Sequence, residues 1–370
     1  MRLYLPIVFG TLISAYLAQK EYFTPVPART ETIPPILPSM REQVHHWVHA
    51  TQVLILAGIT ADPNHPYGPI YNGHLWTIPI EFLGSMVVFL AVLASSHMAS
   101  TARMVLLSTL AGLGLRFGRW DFWLFLGGVV LAEWSLILLE AEAASDDLPT
   151  IHGTHFTGLN QTTSSRLSQK LWSCIKQAFR PVSAFKSPFK IALLLISLYL
   201  LSYAGESSYP GYYHVPLASY IPSLYEPIFL GNEHFILSLG AILLIFILTI
   251  SPNLQSPFLS PFAQYLGDIS YSLYIVHGLV LFTLGTGLQE LWTGQVGEER
   301  WVDNGVGELV EGVVRTEVDG RTYGKAFLLC VIANTVAVFW AADLFWRIID
   351  GRVIGVGRRI EGLFVRKGRN

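Results

Sequence analysis

Two ionisable residues, Glu81 and His277, lie inside stretches that are otherwise apolar enough to cross a lipid bilayer. A charged group facing lipid at that depth would cost at least ~2.5 kcal/mol, so such residues usually point into a helix bundle or a water-filled cavity. A carboxylate can orient or accept a proton, and a neutral imidazole can act as a general base. We therefore predict that Glu81 and His277 are catalytic residues of one functional site.

The stretch that ends at His277 carries a polar face. Ser270, Tyr274 and His277 recur at intervals of three and four residues, which places them on one side of a helix. Asp268 is expected to cap the start of this helix, so that His277 would lie roughly 13 Å along it, near the middle of the membrane. We expect the face to line a cavity in which Ser270 and Tyr274 contact substrate. A buried histidine bonded to a neighbouring hydroxyl would show the same pattern.

The stretch that contains Glu81 begins at the membrane surface. Trp76 is typical of the aromatic belt at a membrane interface, and Pro79 is tolerated in the first turns of a helix. Glu81 would then lie just below that surface, either in a catalytic or substrate-contacting role or as a structural carboxylate bonded to a neighbouring helix. His74 and Trp76 are further candidates for substrate contact.

The composition is that of an integral membrane protein. Of 370 residues, 52% are hydrophobic and only 14% are charged. The formal net charge of −2 leaves no basic face to neutralise phosphates, so no nucleic-acid partner is expected. Cys174 falls in a polar loop and Cys330 in an apolar span, so they form neither a disulfide framework nor a zinc quartet.

Apolar segments of transmembrane length recur along the chain. A bilayer crossing takes about 20 apolar residues, with about 17 to 25 observed. The sequence therefore predicts an all-α, polytopic transmembrane bundle of about eight spans. We place them near residues 3–18, 75–96, 102–117, 120–140, 190–204, 234–251, 268–292 and 325–349. The third and fifth are at the short limit and could be shallow or re-entrant.

Loop charges predict the orientation, because Lys and Arg accumulate on the cytosolic side. Basic residues occur in the polar loop 141–189 and in the tail 351–370, whereas segments 62–74 and 205–233 have none and the hairpin 294–324 is acidic overall. We expect a membrane domain over 1–350, with the loop 141–189 as a cytosolic linker and 351–370 as a basic cytosolic tail. Both termini would be cytosolic, in an endomembrane or the plasma membrane.

A rival site is formed by His45, His46 and His49. His45 and His49 would lie one turn apart on a helix and could bind a metal. No third ligand follows at a familiar spacing, and the surrounding helix is amphipathic. We therefore expect packing at the membrane interface and no metal site.

The two apolar stretches also resemble a known family. Trp76 to Ser85 reads Trp-Thr-Ile-Pro-Ile-Glu-Phe-Leu-Gly-Ser, and Leu266 to His277 reads Leu-Gly-Asp-Ile-Ser-Tyr-Ser-Leu-Tyr-Ile-Val-His. Both runs resemble motifs of the acyltransferase-3 family of integral-membrane O-acyltransferases, particularly its fungal branch, and they occur in the expected order. The opening run from Arg2 to Pro6 resembles the family's basic motif before its third span.

The resemblance implies a bundle of about ten helices that moves an acyl group, often acetyl, from acyl-CoA to a hydroxyl. The hydroxyl would belong to a sugar, a lipid or a natural product. Arg2 would correspond to the second arginine of the basic motif and is suited to the phosphates of acyl-CoA. The family's first two spans and its catalytic histidine would then precede this chain. We expect acyl-CoA as co-substrate with no bound cofactor, and membrane lipid and a hydroxylated small molecule or glycan as partners.

The same residues would also suit a protein without catalysis. In that alternative, the chain is an inactive acyltransferase-like fold or a proton-coupled transport or binding protein, in which Glu81 and His277 handle protons. No internal repeat is visible that would favour a transporter.

Overall fold

A computed structural model of the chain describes residues 3–23, 34–57, 68–143, 187–203, 205–206, 209–210, 215–225, 231–293, 297–303, 309–315 and 319–364. Its α-helices of eight or more residues are α1 (Tyr4–Gln19), α2 (Met40–Ala57), α3 (Thr77–Ser95), α4 (Ser100–Arg116), α5 (Trp120–Ala143), α6 (Ser187–Leu201), α7 (Gly231–Thr249), α8 (Pro261–Val280), α9 (Thr286–Thr293), α10 (Gly320–Phe345) and α11 (Gly351–Phe364). The all-α fold class is confirmed.

Each predicted span coincides with a helix, but the helices differ in how well they could cross a bilayer. Among the described residues, five helical segments are long and apolar enough: Gly73–Ser95, Trp120–Ile137, Gly231–Thr249, Pro261–Gln289 and Gly320–Arg359. The helices α1, α4 and α6 have 16, 17 and 15 residues. At 1.5 Å per residue they reach only about 23 to 26 Å, less than the hydrocarbon core of about 30 Å.

Short turns of 3₁₀- and π-helix lie next to three of the long helices. A 3₁₀ turn, Gly73–Trp76, leads into α3, and π-helical turns follow α8 at Leu281–Gly285 and α10 at Trp346–Asp350. Two antiparallel pairs of strands are also present: β1 (Gly205–Glu206) with β2 (Tyr209–Pro210), and β3 (Gly297–Asp303) with β4 (Leu309–Arg315). The second pair forms within the segment that the sequence predicts as an acidic hairpin.

The predicted start of α8 is wrong. The helix begins at Pro261, so Asp268 lies in its interior and does not cap it. Proline is well tolerated in the first turn of a helix, where the missing N–H has no partner to lose. His277 is therefore 16 residues from the start, about 24 Å along the helix instead of 13 Å.

The chain divides into two compact units. The first comprises Met1–Ala61, Tyr67–Pro79 and Pro261–Asn370, and the second comprises Asp62–Pro66 and Ile80–Ser260. In the first unit, α8 packs against α1 and α10 around a core of buried residues: Ile7, Leu54, Leu75, Ile78, Ile269, Ile275, Val276, Ala342 and Phe345. This core surrounds the part of α8 that precedes His277.

Glycine allows α1 to approach α8 closely. A Cβ atom added at Gly10 would lie 2.3 Å from Cγ2 of Ile275, closer than any two such atoms can approach. Small residues are typical of helix contacts in membranes, because they let backbones come together and gain dispersion contacts. Gly10 therefore lets α1 pack directly on Ile275, the residue that follows Tyr274 in α8.

In the second unit, α5 packs against α4 and α7. One apolar cluster joins Leu107 and Ala111 of α4 to Leu126 of α5, and another joins Trp134 of α5 to Ile247 and Ile250. The ring of Phe125 fills the space that a Cβ atom at Gly84 would occupy, at 2.2 Å. These contacts hold α3, α4, α5 and α7 of this unit together.

A buried ion pair marks the start of α5. Arg119 donates to both carboxylate oxygens of Asp121, at 2.9 and 2.7 Å, and the Asp121 side chain is fully buried. The nearby Tyr225 phenol donates to the carbonyl of Leu115 at 2.6 Å. Burial raises the pKa of Tyr225, and the Asp121 carboxylate raises it further, so the phenol stays protonated and keeps this bond.

The two partners of this ion pair should differ in their effect on stability. We expect Arg119→Gln to lower the free energy of unfolding by about 3–5 kcal/mol, because it leaves a buried carboxylate without its cation. Asp121→Asn should cost less, about 1–2 kcal/mol, because the Arg119 side chain is 28% exposed and water can reach it. The double variant should be more stable than Arg119→Gln alone. Denaturant titration of the detergent-solubilised chain, followed by circular dichroism, measures all three.

The exposed pair Arg347–Asp343 is the matched control for this prediction, since the Arg347 side chain is 65% exposed. Arg347→Gln should change the free energy of unfolding by less than about 1 kcal/mol. Equal losses for Arg119→Gln and Asp121→Asn would contradict the proposed asymmetry.

Candidate functional site

His277 is held in one tautomer by the backbone of its own helix. Its Nδ1 atom lies 2.8 Å from the carbonyl oxygen of Tyr274 and 3.2 Å from that of Leu273. A carbonyl oxygen can only accept a hydrogen bond, so Nδ1 carries the proton in the neutral ring. The Nε2 atom then keeps its lone pair. His277 is therefore oriented as a hydrogen-bond acceptor, which is what a general base requires.

His74 lies beside His277, although 203 residues separate them in sequence. His74 belongs to the turn Gly73–Trp76, and its Nε2 atom donates to the same Tyr274 carbonyl at 2.8 Å. The centroids of the two imidazole rings are 4.2 Å apart, with 49° between the ring planes. One backbone oxygen thus fixes the tautomer of both rings, and His74 keeps its lone pair on Nδ1.

Tyr274 completes a reciprocal pair of bonds with His74. The Tyr274 phenol donates to the carbonyl of His74 while the Tyr274 carbonyl accepts from the His74 ring. The Thr77 hydroxyl lies 2.7 Å from the phenol oxygen. Because the single phenol proton is already donated to His74, Thr77 is the donor in this second bond. The turn before α3 and the second half of α8 are therefore joined by two bonds, each from a side chain to the backbone of the other segment.

Asn72 and Gly278, which were not predicted as site residues, also contribute to the contact between the turn and α8. The Asn72 amide donates to the carbonyl of Ile275 at 3.0 Å, and both atoms are buried. At Gly278 an added Cβ atom would lie 2.5 Å from Cε1 and 2.6 Å from Nδ1 of His74, so only glycine leaves room for this ring. Asn72 and Thr77 lie in the same short stretch as His74, which is the one signal that could have identified them.

Of the other two predicted substrate contacts, Ser270 lies outside this cluster. The Ser270 hydroxyl is exposed and donates to the carbonyl of Gly267 in its own helix, at 2.8 Å. It is seven residues before His277, about 10 Å along α8. Trp76 is half-buried at the end of the turn that carries His74. The structure brings Tyr274, His74 and His277 together, and Ser270 and Trp76 remain predictions.

Glu81 and Arg2 are not part of the described cluster. Glu81 follows Thr77 by four residues in α3, belongs to the second unit and has an exposed side chain. Arg2 lies outside the described residues. The roles that the sequence predicts for both residues stay predictions.

The three histidines of α2 have different environments. His46 Nδ1 bonds the Tyr71 phenol at 2.8 Å, and buried Gln43 donates to the same phenol oxygen at 3.0 Å. Burial raises the pKa of Tyr71, although the Gln43 bond opposes this in part, so the phenol remains a neutral partner. His45 and His49 are exposed and line a surface cavity of about 600 Å³. In the part of the chain that the structure describes, no three metal-ligating side chains are grouped to hold an ion.

An apolar groove lies along another side of α8, and neither His74 nor His277 lines it. It has a volume of about 390 Å³ and is lined by residues of α1, α8, α10 and the π-helical turns that follow α8 and α10. Thr283, in the turn after α8, is its polar contributor, and its hydroxyl donates to the Leu279 carbonyl at 2.7 Å. The groove therefore offers dispersion contacts to an apolar group and few hydrogen bonds.

Taken together, these contacts leave an oriented acceptor nitrogen on His277. The two N–H groups of the histidine pair are committed to Tyr274, and the rings cannot exchange tautomers without breaking a bond to its carbonyl. Such an arrangement can take a proton from a hydroxyl group that approaches Nε2 of His277.

Comparison with known proteins bears on this chemistry. The profile of the acyltransferase-3 family, described as an acyltransferase domain, matches residues 1–304. An O-acetyltransferase, PaAT-1 of Phomopsis amygdali, is 28% identical over 319 residues, which are 81% of this chain and 58% of that protein. Acyltransferase R4 of a Phoma species is 25% identical over 77% of this chain and 50% of its own length. Acyltransferase clz18 of Cochliobolus lunatus is 24% identical over 78% of this chain and 51% of its own length.

The chain spans about half the length of the curated relatives it matches. No solved structure matches it. The family profile nevertheless covers well over half of the chain, including both motifs around Glu81 and His277. With several apolar helices of membrane-spanning length, this chain belongs to the acyltransferase-3 family of multi-pass membrane proteins.

Proposed function

We propose that this chain is a membrane-bound O-acyltransferase that moves an acyl group, acetyl in the first instance, from acyl-CoA to a hydroxyl of a sugar, lipid or natural product. The family supports acyl transfer, and the relative from Phomopsis amygdali is an O-acetyltransferase. The observation that carries the proposal is the fixed tautomer of His277, which leaves Nε2 as a proton acceptor.

In the proposed reaction, Nε2 of His277 takes the proton of the acceptor hydroxyl as its oxygen attacks the thioester carbonyl carbon. The C–S bond then breaks, the acyl group remains on the acceptor oxygen, and the coenzyme A thiolate leaves and receives the proton. The Nδ1–H bond to Tyr274 persists throughout, so the imidazolium needs no reorientation.

The other candidate residues have supporting roles in this proposal. His74 would contact the acceptor through Nδ1, and Tyr274 would orient both rings. Trp76 and Ser270 would contact substrate, and Glu81 would bind the acceptor or orient an imidazole. Arg2 would bind the phosphates of acyl-CoA. Both termini would lie in the cytosol, where acyl-CoA is available, within an endomembrane or the plasma membrane.

The first test replaces the proposed base. His277→Gln should lower acceptor-dependent thiol release from acetyl-CoA by about 10²–10⁴-fold, because it removes the proton acceptor while keeping a polar side chain. The measurement uses the 370-residue chain in detergent or vesicles, with a panel of hydroxylated acceptors. His49→Gln is the matched control, since His49 is an exposed histidine of α2, and it should retain activity. Full activity in His277→Gln would exclude the proposed role.

A second test moves His74 without replacing it. Gly278→Ala places a methyl group against the His74 ring and should lower kcat, because a misplacement of about 1 Å in such a site can cost on the order of 100-fold. Gly267→Ala is the control in the same helix, since nothing lies within 4 Å of a Cβ atom there. It should keep its activity and gain helix stability, by about 1 kcal/mol at most.

The outcome of the glycine pair separates geometry from folding. Both variants should show helical circular dichroism and unfold cooperatively, while only Gly278→Ala loses turnover. Equal turnover in the two variants would mean that the position of His74 does not affect the reaction.

A further inference from the structure

The helix α11, which follows the last long apolar helix, has two chemically different sides. In the sequence, apolar residues recur at positions 353, 356, 360 and 363, the spacing of an amphipathic helix. Arg352 and Arg359 are seven residues apart and lie almost above one another, with Arg358 on the adjacent side. At 100° per residue, all three arginines lie about 100° to 140° around the helix from Val353.

Burial agrees with this division at Val353, which is 6% exposed and attaches α11 to the first unit. Val356, on the same side in the sequence pattern, is 44% exposed. Arg352, Arg358 and Arg359 are exposed, and so is Gly355 between them. The helix therefore presents its cationic side away from the protein.

Among the side chains that the structure describes, no anion pairs with the cationic side; Glu361, three residues after Arg358, is not one of them. Arg347, one π-helical turn earlier, donates to both oxygens of Asp343, at 2.7 and 3.2 Å. For Arg352, Arg358 and Arg359, by contrast, no acidic side chain forms an ion pair within the described part of the chain. The described part of α11 therefore presents three exposed guanidinium groups that are available to an external anion.

The position of α11 along the membrane axis limits what that anion can be. The preceding α10 has 26 residues, about 39 Å, which exceeds the hydrocarbon core of about 30 Å. The π-helical turn Trp346–Asp350 leads from its end directly into α11. The arginines thus begin at the level where phospholipid headgroups end the apolar core.

We propose that Arg352, Arg358 and Arg359 of α11 bind anionic phospholipid headgroups of the leaflet in which α10 ends. Guanidinium groups form paired hydrogen bonds to phosphate oxygens, and basic segments next to a membrane span are attracted to anionic lipid. This surface is independent of the proposed acyl transfer, and its test has no catalytic readout.

The test measures which lipid gathers beside α11. The full chain, with Cys174→Ser and Cys330→Ala, carries a fluorescent donor attached through Gly355→Cys and is reconstituted in phosphatidylcholine vesicles. Energy transfer is compared for phosphatidylserine and phosphatidylcholine that carry an acceptor in the acyl chain. Transfer should be greater to phosphatidylserine, and the preference should weaken as salt is raised.

Matched double variants identify the residues responsible. Each arginine contributes about fivefold to binding an anionic surface, so Arg352→Gln with Arg359→Gln should weaken the binding of phosphatidylserine relative to phosphatidylcholine by up to about 25-fold and remove most of the difference in energy transfer. Arg321→Gln with Lys325→Gln removes the same charge from exposed residues at the other end of α10 and should leave the preference unchanged.

Two results would overturn the proposal. Equal transfer to both lipids, or an unchanged preference in the Arg352/Arg359 variant, would show that these arginines do not recruit anionic lipid. Loss of the preference on adding inorganic phosphate, but not sodium chloride of equal ionic strength, would assign the surface to a soluble phosphate ligand instead.

Discussion

The site depends on the reciprocal bonds between His74 and Tyr274, in which each side chain bonds the backbone carbonyl of the other. A side chain bonded to backbone has little freedom to move, because the helix fixes where the carbonyl lies. In an apolar interior, where water cannot replace a lost partner, an unmade bond of this kind costs about 1–3 kcal/mol. The two segments therefore hold each other in register across 200 residues of sequence.

Close packing around α8 also keeps His74 and Tyr274 in position. Gly10 lets α1 contact the side chain of Ile275, and Asn72 bonds the carbonyl of the same residue. One turn of α8 further on, Gly278 leaves the space that the His74 ring fills. Interiors packed this tightly resist small shifts, since an added methyl group forces side chains out of their preferred rotamers. The geometry of the histidine pair thus depends on the backbone of α8, which supplies the carbonyl acceptor, and on glycine at positions 10 and 278, which leaves room for close packing.

Sequence reasoning predicted the helices well and the contacts between them poorly. Hydropathy alone indicated each of the five helical segments that are long and apolar enough to cross a bilayer, because their apolar length is set by the bilayer and needs no knowledge of neighbours. The start of α8 was wrong since Asp268 looks like a cap, whereas Pro261 begins the helix seven residues earlier. The helical spacing that grouped Ser270 with Tyr274 and His277 was correct as periodicity, but periodicity cannot show that a ring from residue 74 lies beside only two of them. Likewise, nothing in a single sequence shows that Gly278 faces an imidazole.

The Tyr274 carbonyl accepts a hydrogen bond from both rings, so the proton of each histidine has a defined position. The bond from Nδ1 of His277 to the Tyr274 carbonyl fixes the tautomer of this ring within α8. The His74 ring packs beside it, at a centroid distance of 4.2 Å. Its own N–H is committed to the Tyr274 carbonyl, so it cannot take the proton-accepting position of His277 for itself. In the proposed reaction, the lone pair on Nε2 would therefore be in place before a hydroxyl arrives, and the base would not have to reorient.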